Sequence, residues 1–353
     1  MAGPMDILVL NGDGIGPEIT AATLTVLQAA ALRFGLPLRL HHAEIGFAAL
    51  ALHGSTIPPA VIAAAKAATG VILGPVSHNA YPPVAEGGLN PSGVLRRELE
   101  LYANIRPARS RAGTPRPVAA HTDLVIVREN LEGFYADRNM ASGSGEVLVE
   151  PDVAIAMRKI TAKGSARIAE AAFALAASRP RKRVATIHKA NVLRTSDGLF
   201  LSEVRKVAAR YPQIAHEEIL VDAAAAHLVR DPARFDVILA TNMFGDILSD
   251  LAAEIAGGLG LAASLNLGPQ AAVAQAQHGS APDIAGQDRA NPSALIGSMA
   301  MLLRHLGMTD AAAAIDQALD TALSRPETRT PDLGGALGTA AFAARLATLI
   351  KES

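Results

Sequence analysis

Residues Leu8–Glu18 read LVLNGDGIGPE. An apolar run, Ile7 to Leu10, leads into glycines at 12, 14 and 16, and PEITAATLTVLQAAA from Pro17 onward has the composition of a helix. Strand, glycine turn and helix is the layout of a nucleotide-binding loop, but the spacing is wrong for one. The dinucleotide fingerprint is G-x-G-x-x-G, and the P-loop ends in G-K-[ST]. Here the pattern is G-x-G-x-G followed by Pro17, with no Lys. Glycine supplies positive φ in a tight turn, and proline suits the first turn of a helix. On the loop alone, a tight turn is the plainer reading than a cofactor loop.

Outward from this loop, strand-like runs alternate with helical patterns. Runs at 6–10, 38–46, 70–75, 123–129, 183–189, 217–222 and 235–241 read as strands, and Ala-rich stretches at 18–34, 58–68, 152–178 and 198–210 read as helices. That alternation predicts α/β layering. The 353 residues suffice for two domains, and half are hydrophobic although only 3% are aromatic. A net charge of −1 gives no basic excess to draw nucleic acid or an anionic membrane. Of two local basic clusters, 106–117 and 179–183, the second reads as solvated surface. The absence of cysteine excludes disulfides and thiolate metal sites and fits a reducing, cytoplasmic setting. The amino terminus lacks the pattern of a signal peptide, and the longest apolar region, 251–274, is broken by Glu254, Asn266 and glycines.

Four constellations can carry chemistry. In TNMFGDILSD (241–250), Asp246 and Asp250 are four apart and share a helix face. Upstream, Asp222 ends a strand-like run in ILVDAAAAHLV. Three carboxylates without sulfur suit a hard divalent ion, though acidic pairs at this spacing also occur on ordinary solvated helices. In LRRELELYANIRP, Arg96 and Arg106 bracket a short segment, and Arg128 follows in VRENLEGFYADR. Converging arginines would bind a di- or tricarboxylate bidentately; separated, they are surface residues. Tyr135 in the latter motif and Lys189 in TIHKANVL are acid/base candidates only if placed near such a site. Finally, HGSAPDIAGQDRANP (278–292) is a sharp loop in which Asp283 could accept hydrogen bonds from a ribose diol, or is simply a Gly/Pro turn.

Taken in order from GDGIGPE through LRRELELYANIRP, VRENLEGFY, HKANVL, NMFGDILSDLA and HGSAPDIAG to RTPDLGG (329–335), these segments resemble the β-decarboxylating dehydrogenases. That family includes isocitrate, homoisocitrate, 3-isopropylmalate and tartrate/D-malate dehydrogenases. The resemblance implies a two-domain isopropylmalate/isocitrate dehydrogenase-like α/β fold with a mixed sheet, not a standard Rossmann fold. A large discontinuous domain, 1–101 plus 256–353, would carry the cofactor. A smaller one, 102–255, would carry metal, substrate and the dimer interface, with a segment near 138–158 helping to form the dimer.

By the same resemblance, Asp222, Asp246 and Asp250 would bind Mg²⁺ or Mn²⁺. Arg96, Arg106 and Arg128 would hold the substrate carboxylates, and Tyr135 and Lys189 would transfer protons. NAD would contact Ile15, Asn191, His278, Gly279, Ser280, Ala281, Asp283 and Asn291. The partners implied are a small hydroxy di- or tricarboxylate and a second copy of the chain, with Lys189 and Asp222 crossing into the other protomer's site. The opening glycine loop becomes one wall of the nicotinamide end. Asp283 favours NAD over NADP because it would repel a 2′-phosphate, while Arg289 stands nearby.

Substrate choice should rest on EGGLNPSGVLRR, where Asn90 and Ser92 are polar. A hydroxyl or amide left facing an isopropyl group would be poorly paired, which favours an isocitrate- or homoisocitrate-like acid over 3-isopropylmalate or tartrate/D-malate. Two departures from the family pattern are Gln275 where a Glu is usual and Ala223 where an Asn is usual. A non-catalytic regulatory subunit is the rival class. It would be expected to lack some of Tyr135, Lys189 and the three aspartates, and all are present.

Overall fold

The computed structural model describes residues 5–352 apart from 116, 120, 136, 138, 141 and 142. Along the chain run β1 (Met5–Leu10), α1 (Gly16–Phe34), β2 (Leu38–Ala43), α2 (Gly46–His53), α3 (Pro59–Ala67), β3 (Gly70–Leu73) and α4 (Pro91–Glu98). Next come β4 (Ala103–Arg109), β5 (Asp123–Glu129), β6 (Glu146–Glu150), β7 (Val153–Ala156), α5 (Ala162–Ser178), β8 (Arg183–His188), α6 (Ser196–Ala208) and β9 (Ala215–Leu220). The chain continues through α7 (Val221–Arg230), β10 (Val237–Ala240), α8 (Asn242–Ala256), β11 (Leu265–Leu267) and β12 (Ala272–Gln275). It ends with α9 (Ser293–His305), α10 (Thr309–Leu323) and α11 (Thr339–Glu352). Among the described residues, no helix is long and apolar enough to cross a membrane.

Two compact units result: Met1–Leu99 with Arg111–Pro117 and Gly257–Ser353, and Glu100–Ser110 with Val118–Ala256. From the sequence, the second domain is expected to run unbroken from 102 to 255, whereas the excursion at 111–117 belongs to the first unit. Local contacts explain it. Arg111 pairs with Asp320, the Arg329 guanidinium donates to the Gly113 carbonyl, and a Cβ on Gly113 would lie 2.6 Å from the Ser324 carbonyl oxygen.

In the first unit the strand order is β2-β1-β3-β12-β11, parallel except for β11 against β12. The inner strands MDILVL and GVIL are near-continuous apolar runs because both faces are covered. Edge strand β2, LRLHHA, is correspondingly polar. Ile19, Val26, Ala294, Ile315, Leu346 and Phe342 from the surrounding helices close the core. Each fully buried aliphatic side chain of this kind contributes about 1.5–3 kcal/mol.

In the second unit the order is β4-β5-β10-β8-β9, with β4 antiparallel to β5 and the others parallel. Its core gathers Ile126, Ile187, Ile238, Phe235, Leu228, Leu248 and Ala252. The stretch 152–178 is not one helix. Val153–Ala156 pairs antiparallel with β6, and the helix begins only after Thr161, whose side chain accepts the Gly164 N–H at 3.0 Å. Alanine and valine runs satisfy strand and helix alike, so the cap and the hairpin partner decide. Every residue of β6 and β7 is exposed. In the segment 138–158, Arg138, Ala141 and Ser142 lie outside the described residues.

Candidate active site

The second unit's site forms where β10 feeds α8. Parallel strands end there and a helix begins, the usual place for a site in an α/β sheet. One turn of α8 presents Asp246, Ser249 and Asp250 toward two arginines from the sheet. In the β4–β5 register Arg106 lies opposite Ile126 and Asn104 opposite Arg128, so the two arginines are diagonal neighbours on one face. Arg106 Nη1 is 3.0 Å from Asp246 Oδ1, 2.7 Å from Ser249 Oγ and 3.4 Å from Asp250 Oδ1. Arg128 donates from Nε to Asn242 Oδ1 at 2.8 Å and from Nη1 to Asp246. The Tyr135 hydroxyl donates to the other oxygen of Asp246. Gly245 makes the close approach possible, since a Cβ there would sit 2.8 Å from Arg128 Cβ.

The electrostatics follow from this packing. Two carboxylates four residues apart repel on a helix. Here two buried guanidiniums, with side chains 7% and 2% exposed, offset them. Asp250 remains half exposed. Desolvation holds its carboxyl above the ordinary value; Arg106 opposes this and Asp246 adds to it. Paired aspartates with oxygen donors only, one of them open to solvent, fit a hard divalent cation. Among the described residues, no three His, Asp or Glu side chains gather at one point. The third expected ligand, Asp222, is elsewhere in the unit. It is also not at a strand end as expected from the sequence, because β9 stops at Leu220 and Asp222 opens α7. Its Oδ2 is 2.8 Å from Lys189 Nζ, and that ammonium holds the Asp222 carboxyl below its ordinary value. Lys189 follows β8, with its own N–H donated to Asp197 Oδ2 at 2.6 Å. Asn191 is exposed in the turn just beyond.

In the first unit, the glycine loop meets the 278–284 loop. Ile15 N–H donates to the Ser280 carbonyl at 2.8 Å, and Ser77 and Ser280 hydroxyls lie 2.7 Å apart. Gly12 and Gly14 have φ of +74° and +56°, and Cβ atoms there would fall 2.1 Å and 2.0 Å from the carbonyl oxygens of Pro75 and Ser280. The glycines therefore serve close backbone approach. Asp13 accepts the N–H groups of Phe47 and Ser77, each at 2.9 Å, and the Tyr81 hydroxyl, so its carboxylate is spent inside the loop.

Of the remaining cofactor candidates, Gly279 and Asp283 are exposed, and Ala281 takes a left-handed φ of +36°. His278 keeps Nδ1 2.9 Å from the Gly279 carbonyl, and its buried Nε2 has no hydrogen-bond partner among the described residues. Burial holds its imidazole below the ordinary range, so the ring is neutral at physiological pH. Asn291 is buried and occupied, donating to Asp332 and accepting the Ser293 N–H, both at 3.0 Å.

The substrate-loop residues are also engaged. Asn90 caps α4 by accepting the Gly93 N–H at 3.2 Å. Ser92 donates to Gln275 Oε1 at 3.1 Å, with both residues buried. Only an unpaired Ser92 hydroxyl would disfavour an isopropyl group, and this hydroxyl is paired. The two residues noted separately in the sequence, Ser92 and Gln275, are one pair. Arg96 lies in the last turn of α4 in the first unit. Sequence reasoning missed Asn242, Ser249, Asn104, Arg158 and Asp197. Asn104, Asn242 and Ser249 lie inside motifs already singled out, but nothing local marks Arg158 or Asp197.

A model of the isocitrate/isopropylmalate dehydrogenase family matches residues 6–346. The chain belongs to that family and is an oxidoreductase of the β-decarboxylating dehydrogenase type. It is 44% identical over 348 residues to the isocitrate/homoisocitrate dehydrogenase of Thermus thermophilus, covering 98% of both chains. It is 40% identical over 344 residues to the 3-isopropylmalate dehydrogenase of Archaeoglobus fulgidus, covering 98% of this chain and 99% of that one. A Caenorhabditis elegans relative named as a probable isocitrate dehydrogenase [NAD] subunit alpha is 38% identical, covering 98% of this chain and 92% of that one. The crystal structure of isocitrate dehydrogenase from Methylococcus capsulatus superposes with a TM-score of 0.89 at 39% identity, covering 98% of this chain and 99% of that one.

Proposed function

We propose that this chain catalyses NAD-dependent oxidative decarboxylation of a 2-hydroxy acid bearing a β-carboxylate, with an isocitrate- or homoisocitrate-like acid favoured by the 44% identity to the Thermus thermophilus isocitrate/homoisocitrate dehydrogenase. Asp246 and Asp250 would hold Mg²⁺ or Mn²⁺ together with Asp222 from the second copy of a homodimer. The observation that carries the reading is the convergence of Arg106, Arg128 and Tyr135 on Asp246. When bound, the divalent ion supplies charge stabilisation at a substrate oxygen and NAD takes the hydride.

The chain's own residues do the rest. Two arginines against two aspartates sum to no net charge, so a divalent cation at the aspartates gives the site the net positive charge that attracts carboxylates to the guanidiniums. Arg106 and Arg128 thereby orient the substrate. Lys189, which like Asp222 would come from the second copy, manages the hydroxyl proton and then the developing enolate charge. Tyr135, whose hydroxyl already acts as a donor, protonates the carbon that has lost CO₂. Exposed Asp283 suits a free ribose 2′-hydroxyl. The hairpin β6–β7 supports the dimer, since Val147, Leu148, Val149, Val153 and Ile155 are all exposed there.

A second reading, 3-isopropylmalate as substrate, is favoured by the Ser92–Gln275 pairing, which leaves the Ser92 hydroxyl satisfied without substrate. The test is NADH formation on isocitrate, homoisocitrate, 3-isopropylmalate, D-malate and tartrate with Mn²⁺. Highest kcat/KM on isocitrate or homoisocitrate is expected. Preference for 3-isopropylmalate selects the second reading, comparable kcat/KM with NADP overturns the cofactor assignment, and no turnover on any acid revives a regulatory role.

A further inference from the structure

Arg158 and Asp197 form a buried ion pair that the chemistry above does not use. Arg158 lies between β7 and α5, and Asp197 in the first turn of α6. The Asp197 side chain is fully buried and that of Arg158 is 7% exposed. Arg158 Nη1 donates to Asp197 Oδ1 at 2.5 Å and to Ser196 Oγ at 2.8 Å, and Nη2 donates to Thr241 Oγ1 at 3.1 Å. The same guanidinium lies 5.7 Å from the Phe134 ring centroid and 5.5 Å from that of Phe244. The second oxygen of Asp197 accepts the backbone N–H of Lys189 at 2.6 Å.

These contacts have a common feature. Phe134 immediately precedes Tyr135, Thr241 immediately precedes α8, and Phe244 stands two residues before Asp246. Lys159, next to Arg158, forms reciprocal backbone hydrogen bonds with Gly133 at 2.8 Å and 3.1 Å. One ion pair therefore touches the three segments that carry Tyr135, Lys189 and Asp246. A buried ion pair is poor value for stability alone, since apolar groups of the same shape often do as well. A planar guanidinium with directed donors and two stacking faces does specify geometry.

We propose that the Arg158–Asp197 pair is a positioning device. It fixes the backbone at Lys189 through Asp197, and it fixes the Tyr135 loop and the start of α8 through the guanidinium. It touches no substrate. The inference rests on the reading of Lys189 and Tyr135 as the proton-transfer pair.

The test uses the full-length enzyme with NAD, Mn²⁺ and isocitrate, or whichever acid of the panel it turns over. Arg158→Met should fold and lower kcat roughly 100-fold, the cost of small misplacements at a reacting centre, with KM little changed. Arg158→Lys should restore part of the loss. Amide hydrogen exchange across 187–193 should accelerate about tenfold in Arg158→Met while exchange in α5 stays as in the wild type. If Arg158→Met does not fold, Asp197→Asn, which keeps an acceptor for the Lys189 N–H, should show the same kcat-specific loss in milder form. Wild-type kcat and unchanged exchange at 187–193 would overturn the inference. So would acceleration spread evenly over the second unit, the mark of a merely structural pair. Full turnover by Lys189→Met would instead overturn the proposed function.

Discussion

Glu129 links the site's architecture to a measurable pH dependence. It ends β5 beside Arg128, is 4% exposed, and organises the turn leading to Tyr135. Its carboxylate accepts the Leu131 N–H at 3.0 Å and the Glu132 N–H at 2.7 Å. Burial pushes its carboxyl up from 4.5 to about 7, with the two amides opposing the shift. A carboxyl raised in the folded state binds its proton there while the unfolded chain has already released it. Stability from this group is therefore fully present below about pH 4.5 and is lost as pH rises through about 7. Integrated between pH 5 and pH 8, the loss is about 2–3 kcal/mol. Glu129→Gln removes the titration. A single amide oxygen in the Oε2 position still reaches both N–H groups, so the substitution adds a roughly pH-independent offset. Urea unfolding of both proteins at half-unit pH steps from 5 to 8 measures the difference. The stability of Glu129→Gln relative to the wild type should rise across that range by about 2–3 kcal/mol. Parallel pH profiles for the two proteins would refute the reasoning.

Three further outcomes are expected. Tyr135→Phe and Lys189→Met should each lower kcat by roughly 10²–10⁴-fold without changing the melting temperature by more than a few degrees, because both side chains act at the site and neither belongs to the apolar core. Gly14→Ala should destabilise by more than the roughly 1–3 kcal/mol of its left-handed backbone, since its Cβ would fall 2.0 Å from the Ser280 carbonyl oxygen. Thermal melting checks the stability, and a raised KM for NAD would show that both loops line the cofactor site. Leu148→Glu, on the hairpin proposed to support a dimer and where Leu148 is 68% exposed, should leave a monomer in sedimentation and abolish turnover. An active monomer would exclude shared active sites.

Several features were legible from neighbours within a few residues. Asp246 and Asp250 share a face because four residues make about one helical turn. Gly12, Gly14 and Pro17 announce a tight turn into a helix because their backbone preferences are local. Near-continuous apolar runs such as Ile7–Leu10 and Val71–Leu73 mark strands covered on both faces. The motif series also placed the chain among the β-decarboxylating dehydrogenases, because each motif holds its reacting groups within one short segment.

Other features depend on what the chain meets after folding. Tyr135 reaches Asp246 across 111 residues and Arg106 reaches it across 140, brought together by strand pairing and helix packing that no local rule encodes. Val153–Ala156 becomes a strand only because β6 lies beside it. Ser92 reads as a free polar group in the sequence, yet its partner is Gln275, 183 residues away. Arg158 and Asp197 carry no local signature at all. Residue type and spacing establish which chemistry a segment can carry. Which charges are neutralised, which hydroxyls are already satisfied and which backbone is held in place are set by burial and pairing, and those exist only in the folded chain.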